Sequence, residues 1–428
     1  MRQCEGVGYL GVVPSSKATD PAEMFFVQVD KTKCIECGTC GEYCPTGAIR
    51  PVGEDGPREV VHPGLCVNCG QCLTHCPAGA IYEVVSWIDE IFAAIDDPNK
   101  YTVAVPAPAI RYGLAECFGY PPGTNVYGKM VTALRELGFD KVWDNEFTAD
   151  LTIMEEGTEL IKRITGELER PLPQFTSCCP AWIKYAETFY PDLLPHISSC
   201  KSPIGMAGGA AKVYGAKEAG VDPKKMYLVS IMPCIAKKFE GLRPEITGID
   251  ATITTRELAY MIKAKGINFK NLPEDFADPI MGTSSGAATI FAATGGVMEA
   301  ALRFAVWKLT GEKKKVIEFK SVRGLKGIKE ATVKLPKTLK TPHGKIKEIR
   351  VAVASGLKYA KVLCDQVRAG KSPYHFIEVM ACPGGCVSGG GEPILPGVRE
   401  AMERTLKRWY GSLKKRLEYY QSNKLLNA

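Results

Sequence analysis

Two cysteine quartets with one spacing dominate the first quarter of the chain: Cys34, Cys37, Cys40 and Cys44 followed by Pro45, then Cys66, Cys69, Cys72 and Cys76 followed by Pro77. Each runs on into a Gly-Ala-Ile triplet, Gly47–Ile49 and Gly79–Ile81, so residues 25–83 are an internal duplication. The chain holds 17 cysteines in 428 residues. Dense Cys-x2-Cys repeats at this length point to metal ligation, because disulfide frameworks belong to short secreted scaffolds. The expectation is reduced, metal-loaded thiolates and a segment that folds around what they hold.

The spacing C-x2-C-x2-C-x3-C-P in both halves is that of bacterial ferredoxins with two 4Fe-4S clusters, where the fourth cysteine of each half crosses to the other half's cluster. It assigns Cys34, Cys37, Cys40 and Cys76 to one cluster, and Cys66, Cys69, Cys72 and Cys44 to the other. A pair of four-cysteine zinc sites is the competing reading. Zinc ribbons rarely run three cysteines at this spacing and close with Cys-Pro in both halves. Ligation by cysteine alone predicts low-potential relays, since histidine ligands in Rieske centres raise the potential from about −400 mV to between about −150 and +300 mV.

From about residue 84 the pattern changes to helices alternating with apolar runs: YTVAVPAP, KVWDNEF, QFTSCCP, YLVSIMPC and IRVAVASG. Such alternation predicts an α/β domain with substantial parallel sheet. Three further cysteine segments fall in it: Thr176–Trp182 (TSCCPAW), Met232–Lys238 (MPCIAKK) and Met380–Pro393 (MACPGGCVSGGGEP). The first two sit where strands end, the place where open α/β sheets build their sites. Together the segments supply Cys179, Cys234, Cys382 and Cys386, enough for a third cubane. Neighbouring side chains on an extended segment point to opposite faces, so a ligating Cys179 leaves Cys178 free for another task. Gly384, Gly385 and Gly389–Gly391 permit close backbone approach to a bulky cofactor. The Lys-rich stretch 311–350, with a turn at TPHG, reads as a solvated excursion or hairpin.

Composition excludes several classes. A hydrophobic fraction of 45% is that of a globular chain. No run of about 18 apolar residues is present to span a membrane, and the N-terminal GVGYLGVVP is too short for a signal peptide. That lead, residues 1–24, contains a G-x-G-x-x-G match without a preceding strand, which carries no dinucleotide site. The net charge of +7 is uneven: residues 1–90 carry six Lys/Arg against twelve Asp/Glu. Each thiolate-bound 4Fe-4S core adds about −2, which removes the case for nucleic-acid binding. The acidic cluster-bearing end suits a basic electron carrier, and the basic tail KRWYGSLKKRLEYY reads as a solvated helix or a subunit contact.

The three C-terminal segments, in this order and with KSPIGM, ADLTIMEEGTEL and TGGVMEAALR, resemble the signatures of iron-only (FeFe) hydrogenases from about residue 25 onward. The two-cluster layout is most similar to the large subunit of periplasmic Desulfovibrio-type enzymes. The resemblance implies a ferredoxin-like domain at 25–83, then a mixed α/β catalytic domain at 84–428. It also implies an H-cluster, a 4Fe-4S cubane joined to a diiron unit that carries CO, cyanide and an azadithiolate. By motif position Cys179, Cys234 and Cys382 complete the cubane and Cys386 bridges to the diiron unit. Lys237 donates to a cyanide, whereas alone it would read as a solvated lysine like Lys238 beside it. Pro108, Ser202, Pro203, Met232, Phe291 and Met380 match positions lining the diiron pocket.

Glu156, Glu159 and Arg163 share one helix face. Without the family that is an exposed charged face; with it, the three join Cys178 and Ser198 as a proton route. Ala181 and Glu392 depart from the family's usual glycine and glutamine. Cys4, Cys117, Cys200 and Cys364 are left over as small apolar residues, and His75 beside Cys76 reads as tuning a cluster. The implied function is reversible oxidation of dihydrogen, with electrons passing to a basic carrier such as a multihaem cytochrome c, or to a ferredoxin. The implied partner is a hydrogenase small subunit that bears the export signal, hence a periplasmic rather than cytoplasmic location. A non-catalytic dihydrogen sensor or iron–sulfur assembly protein is the alternative; retention of all five site cysteines argues against it. A subunit of an NAD-linked complex would need its nucleotide site from a partner.

Overall fold

The computed structural model describes residues 26–54, 56–311, 327–342 and 344–393. The N-terminal lead, Cys4 and the basic tail lie outside them. The described residues fall into two compact units. One holds residues 26–145, Ala207–Thr283 and 387–393; the other holds Glu146–Met206 and Ser284–Cys386.

In the first unit the cysteine duplication folds as two matching halves. Strands β1 (Val27–Val29) and β4 (Ile81–Glu83) pair antiparallel, as do β2 (Ile49–Pro51) and β3 (Arg58–Val60). Each quartet wraps into a short helix, Thr39–Tyr43 and Gln71–Thr74, entered through a left-handed glycine: Gly38 at φ 77° and Gly70 at φ 70°. The residues two positions earlier, Glu36 and Asn68, also have positive φ. A non-glycine residue there costs about 1–2 kcal/mol. Both halves meet that cost, so the loop conformation is tied to holding the thiols.

The same unit contains a four-stranded parallel sheet in the order β6 (Lys141–Val142), β5 (Tyr101–Pro106), β8 (Met226–Met232), β9 (Ala251–Thr254). The central strands are buried along almost their whole length, as a sheet covered on both faces requires. The run KVWDNEF yields only two strand residues. Asp144 and Asn145 turn the chain into the helix Asn145–Thr165, where such side chains favour the first turn.

The second unit carries the sheet β10 (Ile328–Thr341), β11 (Gly344–Ser355), β12 (Phe376–Met380), β7 (Gln174–Phe175). β10 and β11 form an antiparallel hairpin, and β12 and β7 continue in parallel. The Lys-rich stretch is therefore more than a solvated excursion: among its described residues, Ile346 and Ile349 are buried and Ala331, Val333, Leu335 and Leu339 pack against the same core. The lysines masked an alternating apolar face with the strand's period of two.

Candidate functional site

The structure brings Cys34, Cys37, Cys40 and Cys76 together around one small cavity, with Arg58 and Pro77 also in its wall. Burial, joined by the neighbouring Cys76 and Cys37, pushes the Cys40 thiol up to about 11 against the pull of Arg58. Cys69 lies within electrostatic reach of Cys66 and Cys44, and Cys72 of Cys69, Cys66 and Cys44. Burial raises the thiols of both Cys69 and Cys72. Thiols held so far above neutral pH ionise only when a cationic core takes the protons' place. Among the described residues no three Cys, His, Asp or Glu side chains converge on one ion position. Four soft donors spread around a cavity fit a cluster, in which each thiolate meets its own iron.

The repeated Gly-Ala-Ile triplets have a role that sequence reading left open. Ala48 N–H donates to Cys44 Sγ at 3.2 Å and Ala80 N–H to Cys76 Sγ at 3.3 Å. Cys44 and Cys76, the two cysteines the spacing assigns to cross over, thus each receive a backbone hydrogen bond, the kind of contact that tunes a cluster by charge at its sulfur. His75 stacks on Tyr43 at 3.7 Å between ring centroids, and its Nδ1 meets the Gln71 carbonyl oxygen at 2.8 Å.

The remaining predicted ligands stand just beyond the carboxyl ends of parallel strands. In the first unit Pro108 follows β5 and Cys234 follows its neighbour β8, whose last residue is the buried Met232. In the second unit Cys178 and Cys179 follow β7, and Cys382 follows its neighbour β12, which ends at Met380. Ala381 N–H donates to Cys179 Sγ at 3.5 Å. Cys178, Phe291 and Met380 share one apolar cluster against which Cys386 packs. Ser202 and Pro203 are buried at the start of the helix Pro203–Ala210.

The helix face bearing Glu156, Glu159 and Arg163 is buried, not exposed. Ser177, preceding Cys178, donates its N–H to Glu156 Oε1 at 3.1 Å. Burial pushes the Glu156 carboxyl up to about 8, and the negative charges of Glu159 and Glu378 add to it. The Ser198 hydroxyl donates to Glu159 Oε2 at 2.8 Å and lies near enough to Glu156 to bear on its ionisation. Glu159 is also buried, but hydrogen bonds from Arg163 and Ser198 and the guanidinium charge outweigh that burial and hold it below the ordinary carboxylate value. Arg163 Nε donates to Glu159 Oε1 at 3.0 Å. Two groups that sequence reading missed carry the run outward: the exposed Ser199, whose N–H and hydroxyl both donate to Glu159, and the exposed Arg170 at 3.7 Å from it. Their signal was only adjacency, Ser199 being the neighbour of a predicted serine.

Lys237 is buried, and its Nζ donates to Glu240 Oε2 at 2.5 Å. Lys238 is not solvated: its ammonium group is fully enclosed, 2.8 Å from both Glu83 and Glu257. The two carboxylates compensate the buried cation. Glu392 is buried as well, and its Oε2 would lie 1.6 Å from a Cβ on Gly113, so that helix position has room only for hydrogen.

Residues 100–390 match the family described as iron only hydrogenase large subunit, C-terminal domain, and residues 33–80 match the 4Fe-4S dicluster domain. The chain belongs to the iron-only hydrogenases. It is 58% identical over 426 residues to the periplasmic [Fe] hydrogenase large subunit of Nitratidesulfovibrio vulgaris, covering 98% of each chain. It is 46% identical to iron hydrogenase 1 of Clostridium pasteurianum over 85% of this chain and 64% of that one. An FeFe-hydrogenase structure from Chlamydomonas reinhardtii superposes with TM-score 0.65 at 40% identity, over 79% of this chain and 89% of that chain. The cytosolic iron-sulfur assembly component 3 of Bos taurus is 30% identical over 74% of this chain and 68% of that protein.

Within this iron-only hydrogenase the leftover cysteines divide. Cys117 and Cys364 are buried. Cys200 is only half-buried, and its thiol donates to the Thr152 carbonyl at 3.5 Å, so it is a polar neighbour of the Glu156 run rather than plain filling. Among the described residues no helix is long and apolar enough to cross a membrane.

Proposed function

We propose that this chain is the catalytic large subunit of an enzyme that reversibly oxidises dihydrogen to two protons and two electrons. The observation that carries the reading is the buried sequence of Glu156, Ser198, Glu159 and Arg163 behind Cys178. A pure electron relay or an assembly factor has no use for an internal line of proton-exchanging groups, whereas dihydrogen chemistry must move a proton for each electron.

When bound, the H-cluster supplies the iron at which dihydrogen is split and the redox equivalents that accept its electrons. By motif position Cys179, Cys234 and Cys382 would hold its cubane and Cys386 would join the cubane to the diiron unit. Lys237 would offer a charge-assisted hydrogen bond to a cyanide. Pro108, Ser202, Pro203, Met232, Phe291 and Met380 would line the diiron unit and restrict water. Cys178 exchanges a proton through its thiol. Glu156, whose buried carboxyl is pushed up to about 8, can hold or release a proton near neutral pH, where a proton carrier serves both directions of the reaction. Ser198 hands the proton on as donor and acceptor at once, and Arg163 keeps Glu159 ionised to receive it.

Electrons pass through two 4Fe-4S clusters, Cys34, Cys37, Cys40 and Cys76 holding one and Cys66, Cys69, Cys72 and Cys44 the other. In the ferredoxin-like segment the exposed residues include Ile35, Val52 and Val61 with Glu36, Glu42 and Glu54, as well as Lys31, Lys33 and Arg50. That mixture suits a basic carrier with an apolar contact zone, such as a multihaem cytochrome c, over a ferredoxin. The naming of the similar protein from Nitratidesulfovibrio vulgaris supports a small-subunit partner and a periplasmic location, reached by export with that subunit. Infrared spectroscopy and deuterium–water isotope exchange of the matured protein test the function. CO and cyanide bands with exchange are expected; their joint absence sinks the hydrogenase reading.

A further inference from the structure

The glycine run after Cys386 does more than leave room for a cofactor. A Cβ on Gly390 would lie 2.5 Å from the Cys69 carbonyl oxygen and 2.6 Å from Gly70 Cα. A Cβ on Gly391 would lie 2.9 Å from Cys234 N, and Gly391 N–H donates to the Pro233 carbonyl at 2.9 Å. The loop is thus a backbone spacer between the turn of the second ferredoxin-type quartet and the strand-end segment of Cys234. Cys69 and Cys234 themselves lie within electrostatic reach of each other.

What fixes the spacer is a buried ionic network. Arg256 donates from Nη1 to the carbonyls of Gly390, at 2.8 Å, and Glu392, at 2.5 Å, while Nη2 pairs with Glu83. Lys238 joins Glu83 to Glu257 and donates to the Val85 carbonyl at 2.6 Å. Glu257 closes the ring by accepting the N–H of Thr254, the N-cap of the helix that carries Arg256. Two cations and two anions balance, so none is left as an uncompensated buried charge. Gln71 adds a second tie, donating to the Ser388 carbonyl at 3.0 Å.

We propose that Arg256, held by Glu83, is a positioning residue that presses the Gly389–Gly391 loop onto the Cys69–Gly70 turn, and that this seam is where electrons cross to and from the ferredoxin-like segment. The proposal rests on the hydrogenase reading. Oxidation of one dihydrogen releases two protons and two electrons, and the electrons cross singly to reduce two molecules of a one-electron carrier. Tunnelling weakens steeply across any gap, so the rate depends on how closely the seam is held.

Two variants test this by different means. Arg256→Lys keeps the charge that Glu83 needs but cannot bridge two carbonyls and a carboxylate as a fork does. Gly390→Ala removes no charge from the network and wedges the two backbones apart. For each, deuterium–water exchange, which needs no external electrons, is compared with dihydrogen-driven reduction of a basic c-type cytochrome at equal iron content. The expected result is that cytochrome reduction falls at least about tenfold relative to exchange in both variants. A second measurement uses protein carrying its iron–sulfur clusters but no diiron unit. There the magnetic broadening between reduced neighbouring clusters in electron paramagnetic resonance should weaken in both variants. Proportional loss of exchange and cytochrome reduction, or unchanged broadening, overturns the proposal. Absence of exchange in the unaltered protein would defeat the hydrogenase reading instead, and the resonance measurement would still decide the seam.

Discussion

Replacing Glu156 by glutamine probes the proton route and its energetic cost together. Burial pushes this carboxyl up to about 8 from an ordinary 4.5. Between those values the folded protein binds a proton that the unfolded chain has released. Stability contributed by the site is therefore complete below about pH 4.5 and is lost as pH rises through about 8. At about 1.4 kcal/mol for each pH unit, the interval amounts to about 5 kcal/mol. Glutamine has the shape of the protonated acid and never ionises, so it escapes this loss. Denaturant unfolding of the cluster-loaded protein without oxygen should find variant and parent similar near about pH 5 and the variant more stable by about 5 kcal/mol near about pH 9. The same substitution should lower deuterium–water exchange by about 10²- to 10⁴-fold, the usual worth of a positioned proton carrier. A stability difference that is flat with pH, or exchange at the parental rate, would refute the reasoning.

Three further outcomes follow from the same geometry. Cys178→Ala should retain the iron–sulfur visible spectrum and lose most turnover in a hydrogen-evolution assay; near-normal turnover would remove Cys178 from the route. Lys238→Met should destabilise the protein by about 3–5 kcal/mol in denaturant unfolding, because Glu83 and Glu257 keep their burial and lose their shared cation. Cys76→Ser should cost one cluster in iron content and remove the resonance of the Cys34 quartet; loss of the Cys66 quartet's signal instead would reverse the crossover assignment.

Much of the redox architecture could be read from residue order, since cluster ligation is written in short spacings that leave little conformational choice. The paired turns at Glu36–Gly38 and Asn68–Gly70 are local and repeat with the cysteines. The strand end before Cys234 was likewise visible, because the buried parallel strand Met226–Met232 is an almost continuous apolar run, whereas Cys178 and Cys179 follow a strand of only two residues, Gln174–Phe175. Legibility failed where burial decides the meaning of a charge. Lys237 and Lys238 are adjacent and alike in sequence, yet only the positions of Glu83 and Glu257 make Lys238 an enclosed cation. The lysines between 328 and 350 suggested solvent, and the alternating apolar face beneath them emerged only with β11 and β12 paired.

By itself the sequence determined that this chain carries clusters and which family its C-terminal segments resemble, and its spacing assigns the eight N-terminal thiols to two of those clusters. Those features depend on covalent spacing, which the chain cannot alter. Tertiary structure alone decided that burial pushes the Glu156 carboxyl up to about 8 while Glu159, three residues on, is held ionised by Arg163. It also decided that Arg256 reaches Gly390 and Glu392 across more than 130 residues of chain. The reason is physical: ionisation and contact depend on what the fold brings alongside a group, and dielectric surroundings have no signature in the order of residues.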